Sequence, residues 1–185
     1  MTLEDYAASV AEAVGGTAAV AFGAAKIAVA NENWVDAATK LRDDFGLVFF
    51  SWLSAIDWSN EVAAGDPLQE PAEERYEVLC MVGDLSEGRR LTLSTDISKD
   101  SPSIDSLTGV YVGADWHERE AIDMFGIEFV GHPDPRNLYL PDGFLGHPLR
   151  KSYPLVSREV KPWPGTVDVE PMPGVDEPST ENPEA

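Results

Sequence analysis

Residues 75–97 read RYEVLCMVGDLSEGRRLTLSTDI. Two runs rich in apolar and branched residues, RYEVLCMVGD and RRLTLSTDI, flank Ser86-Glu87-Gly88. That is the pattern of an antiparallel hairpin with a polar turn. Upstream, LVFFSWLSAIDW at 47–58 reads as a mostly buried, aromatic-rich strand, and SNEVAAGDPLQEPAEE as a polar loop leading to the hairpin. WVDAATKLRDDF carries Trp34, Ala37, Ala38, Leu41 and Phe45 at helical spacing, with Asn31 or Asn33 to cap it and Gly46 to end it. TAAVAFGAAKIAVA forms one or two short strands around Gly23. LEDYAASVAEAV, 3–14, is a helix with Thr2 as cap, acids in its first turn and Gly15-Gly16 as its stop. The expected fold class is α+β: a small, largely antiparallel sheet with helices on one side, followed by an extended Pro-rich C-terminal segment.

Downstream the texture changes. SPSIDSLTGVY reads as a short helix and DWHEREAIDMF as a better one, with Asp115 and Glu118 at capping-box spacing. From Gly126 to Leu155 no helical or strand period survives, and prolines at 133, 135, 141, 148 and 154 oppose helix and central strand alike. The last 27 residues hold six prolines and seven acids against one lysine. Three parts are therefore expected: an α+β domain over 1–125, an extended partner-binding strap over 126–158, and an acidic Pro-rich tail over 159–185 that is disordered or draped.

Composition excludes several functions. The chain has 185 residues and a formal charge of −20, which opposes direct contact with nucleic acid or an anionic lipid surface. The charge is uneven: 7 basic and 20 acidic residues in 1–115, but 5 and 6 in 116–158, where a protein partner meets little repulsion. No apolar run approaches the ~20 residues of a membrane span, and the acidic N-terminus is unlike a targeting segment; a soluble, cytoplasmic protein is expected. Cys80 is the only cysteine, so no disulfide within the chain and no iron–sulfur or Cys-type zinc site can be assembled from it. Within YEVLCMVG it reads as a buried, inert thiol.

The chemistry-bearing stretch is WHEREAIDMFGIEFVGHP, 116–133. On a helix Trp116, Arg119, Glu120 and Asp123 share one face, with Ala121, Ile122, Met124 and Phe125 opposite, and Arg119 and Asp123 at pairing distance along the surface. An ordinary solvated charged face is the plain reading. Two features argue beyond it. Glu118 projects to the apolar side, where a carboxylate needs a capping bond or an arginine. And Phe129, Leu138, Tyr139, Leu140, Phe144, Leu145, Leu149 and Tyr153 are strung along a strap whose backbone and side chains both need partners. Glu118, Glu120 and Asp123 as acids or bases of a free-standing enzyme lack a companion nucleophile or a Gly-rich phosphate loop. His117, His132 and His147 are too widely spaced for a compact metal motif.

Glu118-Arg119-Glu120, Asp123-Met124-Phe125, Gly126-Ile127, Gly131-His132-Pro133, Arg136, Leu138-Tyr139, Gly146, Pro148-Leu149-Arg150-Lys151 and Tyr153-Pro154, in this order and spacing, resemble the signature of the respiratory complex I 30-kDa subunit family. Its bacterial form is the C subunit of NADH–quinone oxidoreductase, and the resemblance covers roughly residues 1–160. Asn137, where the family often has a second arginine, and Ser152, where Asp is common, depart from the pattern. The resemblance implies a protein without a cofactor of its own, in the peripheral arm of a proton-pumping complex whose partner subunits hold FMN and iron–sulfur clusters. It further implies packing on the 49-kDa-type protein (the D subunit) beside the quinone site, contact with other peripheral-arm subunits, and a place at the cytoplasmic face of the cell membrane without insertion. Catalytic, cofactor and metal residues are expected on none of its positions. Glu118, Arg119, Glu120, Asp123, Phe125, His132, Arg136, Arg150 and Lys151 are the expected partner interface. The alternative in the same superfamily is the equivalent subunit of a membrane-bound nickel–iron hydrogenase, or of an oxidoreductase using ferredoxin or a deazaflavin.

Overall fold

Apolar alternation builds the sheet. A computed structural model describes residues 1–63 and 68–154; the expected tail, the last four residues of the expected strap and part of the loop after residue 58 lie outside them. Helix α1 (Leu3–Val14) is followed by strands β1 (Thr17–Ala21) and β2 (Ala24–Ala28), helix α2 (Trp34–Asp43), and strands β3 (Phe49–Asp57), β4 (Tyr76–Gly83) and β5 (Arg90–Ile97). The five strands run in the order β1-β2-β5-β4-β3. All neighbours are antiparallel except β2 and β5, whose parallel register sets Ala25 against Leu91 and Ile27 against Leu93.

One face of this sheet is buried. Ile27, Leu53, Val78, Cys80, Val82, Leu91 and Leu93 form one apolar cluster with Tyr6, Val10, Trp34 and Leu41 of the helices. Thr2 caps α1 through its hydroxyl, and Asp5 answers with its carboxylate to the Thr2 N–H, a complete capping box. Of the two candidate asparagines Asn33 occupies the N-cap position of α2, at the end of a 3-10 turn over Asn31–Asn33, but it makes no side-chain cap bond. Cys80 is buried, and that burial drives its thiol pKa far up, as expected of an inert core cysteine.

Three expectations for the second half are corrected. Residues 101–111 hold no helix: Ser103–Asp105 is strand β6, followed by turns. The aperiodic stretch after Gly126 contains strand β7 (Glu128–Val130), which pairs in parallel with β6. Between them helix α3 (Ala114–Phe125) starts at Gly113, without a side-chain cap, so Asp115 and Glu118 form no capping box. Helix α3 lies over β3, with Phe125 edge-to-face on Tyr76 at 6.2 Å.

Candidate functional site

The helix α3 and the chain that follows it are joined by charged side chains acting on backbone. Asp123 is 4% exposed. Its Oδ2 accepts the N–H groups of Leu138, Tyr139 and Leu140 at 2.8, 2.8 and 3.2 Å. The expected surface pair of Arg119 with Asp123 does not form. Instead Arg119 donates from Nε to the Arg136 carbonyl (2.8 Å) and from Nη2 to the Asn137 carbonyl (3.0 Å). One helix face thus grips both the carbonyls and the amides of residues 136–140, groups that a Pro-rich segment cannot satisfy within itself.

The end of α3 is held the same way. Its unsatisfied carbonyls at Asp123, Met124 and Phe125 accept from His147 Nδ1 (2.8 Å), the Leu149 N–H (3.1 Å) and Arg150 Nε (2.6 Å). Cations at a helix C-terminus also meet its negative dipole end. Gly126 makes this closure possible. It takes φ 67° as the left-handed cap, and a Cβ there would collide with His147 and Arg150.

A second latch fixes the far end of the segment. Asp57, 4% exposed at the end of β3, accepts from the Ser59 hydroxyl (2.6 Å), the Lys99 ammonium (3.0 Å) and the Lys151 N–H (2.9 Å). Burial pushes the Asp57 carboxyl up, but Ser59, Lys151 and Lys99 together hold it below the ordinary carboxylate range. The Lys151 carbonyl accepts from the Ala63 N–H at 2.7 Å, and the Lys151 ammonium donates to the Ser59 carbonyl at 3.2 Å.

Glu118 is fully buried on the other side of α3. No arginine pairs with it among the described residues; it accepts from the Leu107 N–H and the Ser106 hydroxyl, each at 2.6 Å. Burial pushes its carboxyl above the ordinary glutamate range, against the opposing pull of Ser106, Leu107 and His132. His132 Nδ1 accepts the Asp134 N–H at 3.0 Å, so the ring hydrogen belongs on Nε2, which donates to the Asp115 carbonyl at 3.1 Å. His117 likewise donates to the Leu53 carbonyl at 3.2 Å. All three histidines are engaged with backbone, and no group of three or more His, Cys, Asp or Glu able to hold a metal occurs among the described residues.

A model described as respiratory-chain NADH dehydrogenase, 30 Kd subunit, matches residues 27–159 of this chain. The chain belongs to that family. The C subunit of NADH-quinone oxidoreductase from Roseiflexus sp. (strain RS-1) is 36% identical over 160 residues, 85% of each chain. The C subunit from Rhodobacter capsulatus is 37% identical over 82% of this chain and 73% of its own length. With that of Phenylobacterium zucineum (strain HLK1) the identity is 35% over 74% of this chain, and the match spans only 59% of the relative's length. Two solved structures share the fold. A trypsin-resistant fragment (1-134) of Nqo5 superposes with a TM-score of 0.57 at 23% identity, over 72% of this chain and 99% of the fragment. A chain of a membrane-bound sulfane sulfur reductase, an archaeal respiratory membrane complex, gives 0.58 at 18% identity, over 76% and 77%.

In this member of the 30-kDa family the signature residues divide into two groups. Glu118, Asp123, Phe125 and His132 are buried within their own chain. Arg119, Glu120, Arg150 and Lys151 are half-buried, and Arg136 is exposed, paired with Asp134 at 2.6 Å. Asp57, Ser59, Lys99 and Ser106 were not legible as site residues. One signal was available for Asp57: it stands at an inward position of the alternation that buries Leu53 and Ala55. No helix of the described residues is long and apolar enough to cross a membrane.

Proposed function

We propose that this chain is a cofactor-free structural subunit in the peripheral arm of a proton-pumping NADH–quinone oxidoreductase. In this reading it packs on the 49-kDa-type quinone-site protein through the surface that α3 and residues 126–154 build together. It sits peripherally at the cytoplasmic face of the membrane, while FMN and iron–sulfur clusters reside in partner subunits. One observation carries the reading. The backbone of the segment is tied down by Arg119, Asp123 and Asp57, and its own Arg150 side chain clasps the end of α3, yet Tyr139 is 61%, Leu145 88% and Leu149 51% exposed. Pinning an irregular chain so that its large apolar side chains face outward creates a preorganised contact surface. The family signature then specifies the scaffold of that surface, and its buried charges act on assembly through the segment they hold.

The test is affinity isolation of the tagged full chain from mildly solubilised membranes, with identification of the bound proteins. Recovery of a 49-kDa-type partner together with flavin and iron–sulfur proteins is expected. Chain recovered alone, or flavin or stoichiometric iron bound to the purified chain itself, overturns the proposal. A large partner with cysteine pairs able to hold nickel and iron would redirect it to the hydrogenase-type complex.

A further inference from the structure

The strand registers divide the sheet into two ends. Asp57, Tyr76 and Ile97 lie at one, where the Lys151 latch closes. The β1–β2 turn, the β4–β5 turn and the start of β3 lie at the other, through the pairings Ala21–Ala24, Ala25–Leu91, Gly83–Arg90 and Phe49–Gly83. This second end has features that neither the fold nor the proposed contact through α3 and its following segment uses.

The β1–β2 connection is the two-residue turn Phe22-Gly23, with φ of 51° and 72°. Turns with both central residues left-handed favour Asn-Gly or Asp-Gly, and a bulky residue in the first position is strained. Here that position carries a phenylalanine that is fully exposed. The side chain costs the isolated protein twice, in backbone conformation and in apolar surface left in water. Behind it lies a cavity of about 430 Å³, lined in part by Leu3, Tyr6, Phe22, Met81, Arg89 and Arg90. Tyr6 is 5% exposed, yet its hydroxyl has no hydrogen-bond partner among the described residues. Arg89 stands over the Tyr6 ring at 5.2 Å and pairs with Glu87, whereas Arg90 makes no salt bridge among the described residues.

We infer that this end of the sheet is a second protein-docking surface, whose occupant is a loop of another protein that brings an apolar side chain beside one aspartate or glutamate. The apolar side chain fills the cavity next to Phe22, and the carboxylate accepts from Arg90. The chemistry favours a loop with a single carboxylate over a second copy of this chain. A copy would bring Glu4, Asp5, Asp84 and Glu87 of its own end, and a net charge of −20, against the same groups here. The inference rests on the reading of this chain as one member of a larger assembly, and it makes the chain bridge two contacts at opposite ends of one sheet.

The experiment places the photoreactive residue p-benzoylphenylalanine at position 22 in one full-length version and at position 139 in another. Both are expressed in their native membranes, irradiated, and the crosslinked peptides sequenced. The expected position-22 adduct falls on an apolar stretch with an Asp or Glu within two residues, on a surface different from that reached from position 139. Arg90→Glu should cut the position-22 adduct at least tenfold and leave the position-139 adduct unchanged. A position-139 adduct without one at 22, an adduct with another copy of the chain, or indifference to Arg90→Glu overturns this inference alone. Absence of both adducts overturns the proposed function as well. Phe22→Asn separates docking from folding, because asparagine suits the turn: the isolated chain should melt about 2 °C higher while its incorporation into the assembly falls. A lower melting temperature would remove the strained-turn premise.

Discussion

In the sheet, the backbone of β4 finds its partners in the neighbouring strands β3 and β5 along its whole length. In residues 136–151, by contrast, several backbone groups find theirs in the side chains of Arg119, Asp123 and Asp57. The two regions meet the same requirement, that buried or half-buried backbone groups be paired, by different routes. The sheet spreads it over many equivalent bonds, so no single polar residue controls the ladder. The segment concentrates it, so one carboxylate oxygen holds three amides. The difference teaches where each region is vulnerable: the sheet to loss of apolar volume, the segment to loss of single charges.

The largest effect should come from the apolar side. Leu41 is fully buried between α2 and the sheet cluster. Leu41→Ala should cost about 3 kcal/mol through lost transfer energy and an unfilled cavity. The loss should appear in one cooperative denaturation transition. If thermal melting were nearly unchanged while exchange rose only locally, the sheet would not be the cooperative unit assumed.

Asp123→Ala should strike the other region. It leaves the Leu138, Tyr139 and Leu140 N–H groups without their acceptor, and hydrogen bonds to a charged group are worth about 1.5–3 kcal/mol. Hydrogen exchange should rise sharply over residues 136–140 and spread toward 151, while strands β4 and β5 keep their protection. Incorporation into a complex should fall at least tenfold if the proposed contact depends on the segment. Asp123→Asn, which keeps an oxygen acceptor, should recover most of the local protection. Equal loss of protection in β4 would show that the two regions are one unit.

What the sequence made legible follows the same division. Alternation in YEVLCMVG and the 3.6-residue spacing of Trp34, Ala38 and Leu41 act through near neighbours, and these elements stand where the pattern puts them. The family signature was also legible, since it is a fixed set of residue types and spacings. The part played by each residue was not. Glu118 looks like the answer to an Asp115 cap because the spacing is local, but its oxygens go to Ser106 and Leu107, across a turn that no periodicity describes. Residues 103–105 form a strand only because β7 passes beside them. Arg119 and Asp123 sit four apart, yet each has more to gain from bare backbone of the following segment than from the other. Where partners are set by tertiary approach, local spacing misassigns them.

A smaller effect should confirm that the sheet region tolerates the loss of one polar contact. Thr2→Ala removes the hydroxyl that accepts the Asp5 N–H at the start of α1. A lost cap costs about 1 kcal/mol. Exchange should increase in the first turn of α1, with residues 136–151 unaffected. A change in that segment's exchange would reveal coupling between the two regions that no hydrogen bond of the cap explains.

The smallest effect concerns Glu118, and its signature is a slope against pH. Burial holds this carboxyl above its ordinary value in the folded chain, whereas the unfolded chain carries an ordinary glutamate near about 4.3. The charged form at neutral pH therefore works against folding. The wild type recovers that loss as pH falls through the folded value, because the folded state takes up the proton first. Glu118→Gln removes the titration but keeps an oxygen for the Leu107 N–H. Its amide can donate to the Ser106 oxygen, whose own hydrogen is then free for Thr108, 2.8 Å away. The net change should stay within about 1 kcal/mol. The melting temperature of Glu118→Gln minus that of wild type should be most positive near pH 7 and shrink as pH falls toward 4.3. Asp57 and Glu77, which the fold holds below their ordinary range, lose stability on acidification, but both proteins carry them and the difference cancels their contribution. A difference that grows on acidification would mean the folded chain prefers Glu118 charged, with Ser106, Leu107 and His132 outweighing burial.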